Sequence, residues 1–484
     1  MGIIARQSIK NNILLFLGVG LGFVNVLIIQ PLVLRPEQLG LLRLMLSIAT
    51  LMAAVYPLGL NSFTIKYFPV FKNLPKVHGG YLGFLLLAFF ALFSIGAFIL
   101  LAFKKQFLLH YGAGQLFQEH YLQLIPLTCF VGLFLSLTSY SSVILKTTVP
   151  SFLNEVVLKV ILALGLFAMY YHVFEFDTLI QIQVYSYLFI CILLFYYFYK
   201  TDGIQLSFEW KMFQLIPISQ AVQFTLTMGL TGIATIAIRN IDAVFIANYL
   251  DLSAVAVYAI AMTICSVIDI PGNALQKILL PKIAQAFKDD DINFIRIVYY
   301  KSVRIGLMAG SFLFLLLFTG SNNLLFFLPK KYQEAAPVIQ VISISGIVNM
   351  VTGLNFNVLQ YSKYYRVATI SMIFLALFSA VTDVLLIPRF GLIGAAYGTS
   401  LAIILINLFV GAFLYNKFNF QPFFQRDLWL LIVTIILAIL LLNLPISNPI
   451  LALIVKSITS ATGIGIIAYI NGDWKELKQL KPKG

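Results

Sequence analysis

The chain has 484 residues, 61% of them hydrophobic and only 10% charged, with a mean hydropathy of +0.96. A soluble protein of this length has no means of hiding so much apolar surface, so lipid is the solvent to which the sequence is suited. Lysine and arginine outnumber aspartate and glutamate 32 to 18, a net charge of +14. The basic residues sit in short intervals between apolar runs, which is the pattern of cytoplasmic loops, and no nucleic-acid partner is expected.

Cys129, Cys191 and Cys265 stand singly in separate apolar runs, which excludes a CxxC pair and a disulfide framework. His78, His110, His120 and His172 lie at the ends of runs without metal-ligand spacing, so neither a metal nor a cofactor is expected. The first apolar run has full membrane length and many follow it, so no cleavable signal peptide is expected.

In chain order, residues 1–11 form a short basic leader carrying Arg6 and Lys10. Apolar runs of about 20 residues, long enough to cross a hydrocarbon core, follow near 12–34, 39–60, 81–103, 121–145, 150–171 and 178–199. A polar interval, 200–215, precedes a second set near 222–249, 252–275, 297–320, 336–359, 367–387 and 392–415. Two more runs, near 428–445 and 448–470, come before a basic tail. The runs are continuous, which predicts helices; barrel strands would be short segments of alternating polarity. The expected fold is all-α and integral to the membrane, with about fourteen spans. It divides into a six-helix lobe over 1–199, a cytoplasmic linker over 200–221, a second six-helix lobe over 222–415, and two extra helices with a basic tail over 416–484.

The two lobes read as a duplication. Each opens with an apolar run, a break (Leu34-Arg35-Pro36-Glu37, then Asn248 to Leu252) and a second apolar run. Pro57, Lys66 and Pro69 close the first copy, and Pro271, Lys277 and Pro281 the second. Pro36 and Leu252 open equivalent spans 216 positions apart, and Ile144-Leu145 recurs as Val358-Leu359 at an offset of 214. Both copies hold six spans, so they are expected to be parallel repeats about an axis along the membrane normal. With the N-terminus inside, the cytoplasmic segments carry 22 lysines and arginines and the opposite loops 7. Both termini are therefore expected in the cytoplasm. The outer loops are short, the longest being around Lys104 to His120. The inner connections 61–80 and 276–296 read as amphipathic interfacial helices, with Phe68, Val70 and Phe71 interleaved with Lys66, Lys72 and Lys76.

Particular stretches resemble a known family. The string DVLLIPRFGLIGAAYGTS, Asp383 to Ser400, is similar to the turn between the eleventh and twelfth helices of polysaccharide transporters. These belong to the multidrug/oligosaccharidyl-lipid/polysaccharide (MOP) exporter superfamily. Asp242 late in the seventh span, the helix end at Leu280-Pro281 and the stretch Pro57-Leu58-Gly59-Leu60 fit the same family, and the likeness runs over the whole chain. It implies a V-shaped, MATE-like pair of lobes around a central polar cavity. It also implies a Wzx-type flippase, which moves undecaprenyl-diphosphate-linked oligosaccharide (an O-antigen, capsule or exopolysaccharide unit) across the inner membrane by alternating access. Membrane lipids, H⁺ or Na⁺ as coupling ion and the polysaccharide polymerase machinery would be its partners.

For such a cargo the polyprenyl tail stays in lipid, the sugar head needs a polar passage, and the diphosphate needs fixed cations. Arg239 near mid-membrane, Lys159 in the fifth span and Arg43 near the outer end of the second are the candidates, with Asn25 in mid-span one. Each cation has a structural alternative: Arg239 stands three residues before Asp242, Lys159 four after Glu155, and Arg43 is close enough to the interface to snorkel. Asn25 occupies a helix that usually carries arginine in the lipid II branch, which argues against a peptidoglycan precursor. Asp269 just before Pro271 is a candidate coupling carboxylate, or the partner of a lysine. Asp242 and Asp383 are candidate coupling or gate residues. Hydroxyls and amides over Ser136–Ser142, Thr227–Thr235 and Asn349–Asn357 either contact sugar or bond between helices.

Rival functions fit less well. A multidrug cation antiporter would favour acidic residues in the first lobe, where the mid-span charges are Glu155 and Lys159. A membrane-embedded polymerase or glycosyltransferase needs a sizeable outer loop with catalytic side chains, and a facilitator-type sugar carrier a long central loop. The GxxxxGK[ST] phosphate loop is absent, so direct use of ATP is not expected, nor is an enzyme. The charge bias makes topology testable. Reporters fused after Leu60, Leu250 and the C-terminus should read inside, outside and inside; an outside C-terminus overturns the span count.

Overall fold

The computed structural model describes residues 3–72, 74, 77–110, 114–208, 210–421 and 425–471; the basic tail and Lys76 lie outside them. Thirteen helices are long and apolar enough to cross a membrane, and a shorter apolar one, Asp427–Leu442, joins them. In order they are α1 (Ile13–Val33), α2 (Pro36–Val55), the short α3 (Leu60–Phe71), α4 (Tyr81–Ala102), α5 (Gly114–Val143), α6 (Thr148–Tyr170), α7 (Phe176–Thr201) and α8 (Ile218–Tyr249). Then come α9 (Leu252–Lys288), α10 (Ile292–Leu325), α11 (Lys330–Val351), the short α12 (Asn355–Tyr361), α13 (Tyr365–Phe390), α14 (Leu392–Phe418), α15 (Asp427–Leu442) and α16 (Pro449–Ile470).

Local chemistry sets the helix ends. Leu34 and Arg35 are extended, as residues before a proline prefer, and Pro36 opens α2, where its missing N–H costs nothing. Asp251, Asp291 and Asn448 accept hydrogen bonds from Ala254, Phe294 and Ile450 N–H and cap α9, α10 and α16. At the α2–α3 corner Gly59 has φ +85°, and a Cβ there would overlap the Thr225 carbonyl of α8, so the corner takes only glycine. In the stretch 61–80, expected to be an interfacial helix, the helix α3 ends at Phe71, with Phe68 and Phe71 fully buried and Lys66 and Val70 exposed. No separate helix exists over 276–296. There α9 runs on through Pro281 to Lys288, and a turn with Asp290 at φ +54° leads into α10.

Contacts group the chain into two compact units, 1–256 and 257–484. In the first, α2 packs on α5 and α8, α5 on α3 and α7, and α6 on α1 and α7. The expected lobes follow the sequence repeat, whereas by packing α8 falls in the first unit. Residues at equivalent repeat positions meet there: Ser253 Oγ donates to Glu37 Oε1 at 2.8 Å across a separation of 216. Edge-to-face rings of Phe68, Tyr140 and Phe198 fill the interior near α3, and Tyr56 O–H donates to Thr128 C=O at 2.8 Å. In the second unit α10 packs on α11, α15 and α16, and α14 on α11 and α13. Large apolar side chains such as Phe98, Leu164, Ile192 and Leu377 stand on the surface, as a lipid-facing surface requires.

Candidate functional site

Two of the spanning helices are irregular at the residues that matter most. In α1 residues Val24–Ile29 form a π-helical turn containing Asn25, and in α6 Leu153–Val157 form another containing Glu155. Such turns loosen the backbone ladder and cluster at functional sites, because polar side chains must take up the carbonyls set free. Here they do so. Asn25 Nδ2 donates to Lys159 C=O at 2.8 Å, and Lys159 Nζ donates to Gly18 C=O at 2.7 Å. Gly18 permits this approach, since a Cβ there would lie 2.5 Å from Glu155 Oε2. Lys159 also pairs with Glu155 at 2.9 Å, one helical turn away, with both side chains about three-quarters buried (29% and 21% exposed).

These groups line a cavity of about 260 Å³ within the first unit, between α1, α2, α6 and α7. Arg43 reaches it from α2, and its Nη2 donates to Gln30 Oε1 at 3.2 Å. Among the described residues Arg43 has no ion pair, so a guanidinium with five donors faces a neutral amide. From α7 come Gln183, Ser186 and Tyr187; Gln183 Nε2 donates to Leu42 C=O at 3.2 Å, while its buried Oε1 has no partner. Two cations and one carboxylate leave the cavity positive, lined by unspent donors. Such a place attracts one anionic group.

The structure therefore brings Arg43, Lys159 and Asn25 into one cavity. Arg239 is elsewhere: it is exposed on α8 and makes no ion pair among the described residues, while Asp242, one turn on, is buried. Asp383 is fully buried in α13. Asp269 ends a 3₁₀ turn, Ser266–Asp269, inside α9 and accepts from Asn349 Nδ2 at 3.4 Å. Asn349 Oδ1 accepts from Asn407 Nδ2 at 3.4 Å, and Asn407 Oδ1 accepts from Thr352 Oγ1 at 2.6 Å and Asn355 Nδ2 at 3.0 Å. A polar relay thus joins Asp269 to the break between α11 and α12 inside the second unit. Sequence reasoning did not pick out Gln30, Gln183 and Tyr187 as lining, because lone amides and tyrosines carry no spacing signal. It also passed over Lys456, buried in α16, which donates to Thr319 C=O at 2.6 Å and Asn323 Oδ1 at 3.1 Å on α10.

Comparison with known proteins adds three findings. A family profile described as polysaccharide biosynthesis protein matches residues 33–337. An uncharacterised membrane protein of Methanocaldococcus jannaschii is 32% identical over 113 residues, which span only 23% of this chain and 22% of that protein. Among solved structures, the lipid II flippase MurJ in an inward closed conformation superposes with a TM-score of 0.71 at 15% identity, over 98% of this chain and 99% of that one. An inward-facing MATE-family multidrug resistance transporter of the MOP superfamily gives 0.61 at 13% identity, over 84% and 94%. At such identities the likeness is one of fold.

The Lys159–Glu155 pair separates the two readings of Lys159. Glu155→Ala strands a partly buried cation and should lower folding stability by about 1–2 kcal/mol, read as a drop in the melting temperature of the detergent-solubilised protein. Glu155→Ala with Lys159→Met should recover most of it. If Lys159 serves the cargo, that stable double variant still fails to transport; if it serves only Glu155, the double variant transports normally.

Proposed function

This chain belongs to the polysaccharide biosynthesis protein family and has the fold of MOP-superfamily transporters, and on that premise we propose that it is a flippase for a lipid-linked oligosaccharide. The cargo is undecaprenyl-diphosphate carrying an O-antigen, capsule or exopolysaccharide unit, moved across the inner membrane by alternating access. The observation that supports this most is the positive cavity of the first unit, where Arg43 keeps donors in reserve. A diphosphate leaving water needs fixed cations, and a planar guanidinium binds paired phosphate oxygens better than an ammonium does. A volume of about 260 Å³ is below the range of pockets that enclose a whole drug-sized ligand, so it holds one phosphate-sized group and not the glycan. The same charge argues against a cation antiporter, whose site would carry excess carboxylate. In this reading Arg239, exposed on α8, is a second contact for the diphosphate, and the protein is a transporter and not an enzyme.

Coupling falls to Asp269 in the same reading. A carboxylate at a helix break, bonded into an amide relay, is where a proton or Na⁺ would change the packing of neighbouring helices. Asp242 and Asp383 are the further gate or coupling groups.

Arg43→Ala should weaken binding of purified lipid-linked oligosaccharide about ten- to a hundredfold, the loss of a charge-assisted contact, and cut surface polysaccharide at matched expression. Arg43→Lys should fall between, and Arg239→Ala should show the same loss. Normal binding in Arg43→Ala overturns the assignment of the cavity. Full rescue of Arg239→Ala by Asp242→Ala would make Arg239 structural. For coupling, transport by Asp269→Asn in proteoliposomes should no longer respond to a proton or Na⁺ gradient, while membrane insertion stays intact. An unchanged gradient response removes Asp269 from that role.

A further inference from the structure

A second cavity of the first unit has the opposite character. About 600 Å³ in volume, it lies among the α2–α3 corner, the start of α4, the linker turn around Trp210 and the start of α8. Phe63, Phe84, Ala88, Trp210, Val222 and Leu226 supply its walls. Its polar lining side chains are Gln214 and Thr225, and the Thr225 hydroxyl is already committed to Ala221 C=O at 2.7 Å. Water has almost nothing to bond here, so the cleft is dry. Val222, Leu226 and Trp210 are 53%, 46% and 68% exposed, so the cleft opens along α8 and the linker. An apolar space open to lipid fills with hydrocarbon.

A cation, Lys66, stands one helical turn from the lining residue Phe63. It is exposed, and its Nζ lies 3.7 Å from the centre of the Phe224 ring beside Thr225. Among the described residues it has no ion pair, and the rings of Phe224 and Tyr67 lie beside it. The cleft and Lys66 sit at the linker end of the spans, which the charge pattern assigns to the cytoplasmic side. A dry cleft with a cation nearby suits a lipid that carries a phosphate on an apolar chain, and on the flippase reading that lipid is a polyprenyl phosphate.

We propose that this cleft, between α3, α4, the linker turn and α8, docks the isoprenoid chain of a polyprenyl phosphate lipid, with Lys66 holding the phosphate. The proposal rests on the flippase reading and adds to it a loading site for the lipid carrier, separate from the cavity around Arg43.

The test uses the full chain in detergent with undecaprenyl phosphate, free of glycan, as the probe. Ala88→Trp fills the cleft and should weaken binding about tenfold or more, because burial of even two methylenes is worth that much. Val222→Phe, at the exposed rim, should act the same way with less risk to folding. Lys66→Gln should weaken binding about two- to fivefold, the range of an exposed ion pair, and Lys66→Arg should restore it. Undiminished binding in folded Ala88→Trp and Val222→Phe overturns the proposal. So does equal competition by phosphatidylglycerol, which would assign the cleft to ordinary phospholipid. A wild-type chain that exports polysaccharide yet does not bind the probe removes the loading site alone; one that does neither removes the flippase reading with it.

Discussion

Lipid offers the backbone no hydrogen-bond partner, so every departure from helical geometry inside the membrane has to be matched by a side chain. The chain follows this rule closely. Next to the π turns at 24–29 and 153–157, Asn25 and Lys159 bond to carbonyls on each other's helices. The break between α11 and α12 has Gly353 at φ +62°, and Ser302 Oγ accepts from Leu354 N–H at 3.2 Å there, with Asn355, Thr352 and Asn407 close by. Irregular backbone and polar side chains therefore mark the same places. Those places are where a membrane helix can bind or bend.

Partners also separate the buried cations by role. Lys456 is 8% exposed, and its two recorded bonds go to neutral oxygens of α10, so it anchors α16 to that helix. Lys159 is matched by a carboxylate and a carbonyl, which leaves it little to offer a ligand unless the pair opens. Arg43 has one long bond to an amide and four N–H groups to spare. An intramembrane charge is costly wherever it sits, and donors in reserve are what the proposed diphosphate contact would use.

Much of this was legible in the sequence. Apolar runs located the spans, although α9 runs on to Lys288 and the run near 336–359 is broken between α11 and α12; prolines and glycines marked the corners, and the mid-span charges named Arg43, Lys159 and Glu155. Their meeting was not legible. Asn25 and Lys159 stand 134 positions apart, and no periodicity relates one helix to the rotation of another. Gln30 and Gln183 matter only because of the face they occupy. The grouping of α8 with the first unit was hidden for a similar reason. It depends on the α2–α3 corner closing onto α8, where Gly59 leaves room for the Thr225 carbonyl, and the repeat in the sequence points the other way. The continuation of α9 through Pro281 shows the limit of reading proline as a stop when the surrounding helix is otherwise satisfied.

The two cavities of the first unit share one helix. α2 carries Arg43 in its first half and leads through Pro57 into the corner that walls the dry cleft, with Lys66 a short way along α3. At 1.5 Å per residue, Arg43 and Pro57 are about 20 Å apart along the axis. That is a large part of the thickness of a hydrocarbon core. A phosphate taken from the α2–α3 corner to Arg43 would therefore cross much of the apolar region, while its isoprenoid chain need never leave lipid. Neither cation alone accounts for movement, since a single tight site would hold the head group where it bound. Two sites of unequal setting, one exposed beside aromatic rings and one enclosed among amides, give a polar head a place to start and a place to arrive. In that reading what must change between them is access to the site around Arg43, which the irregular turns of α1 and α6 line.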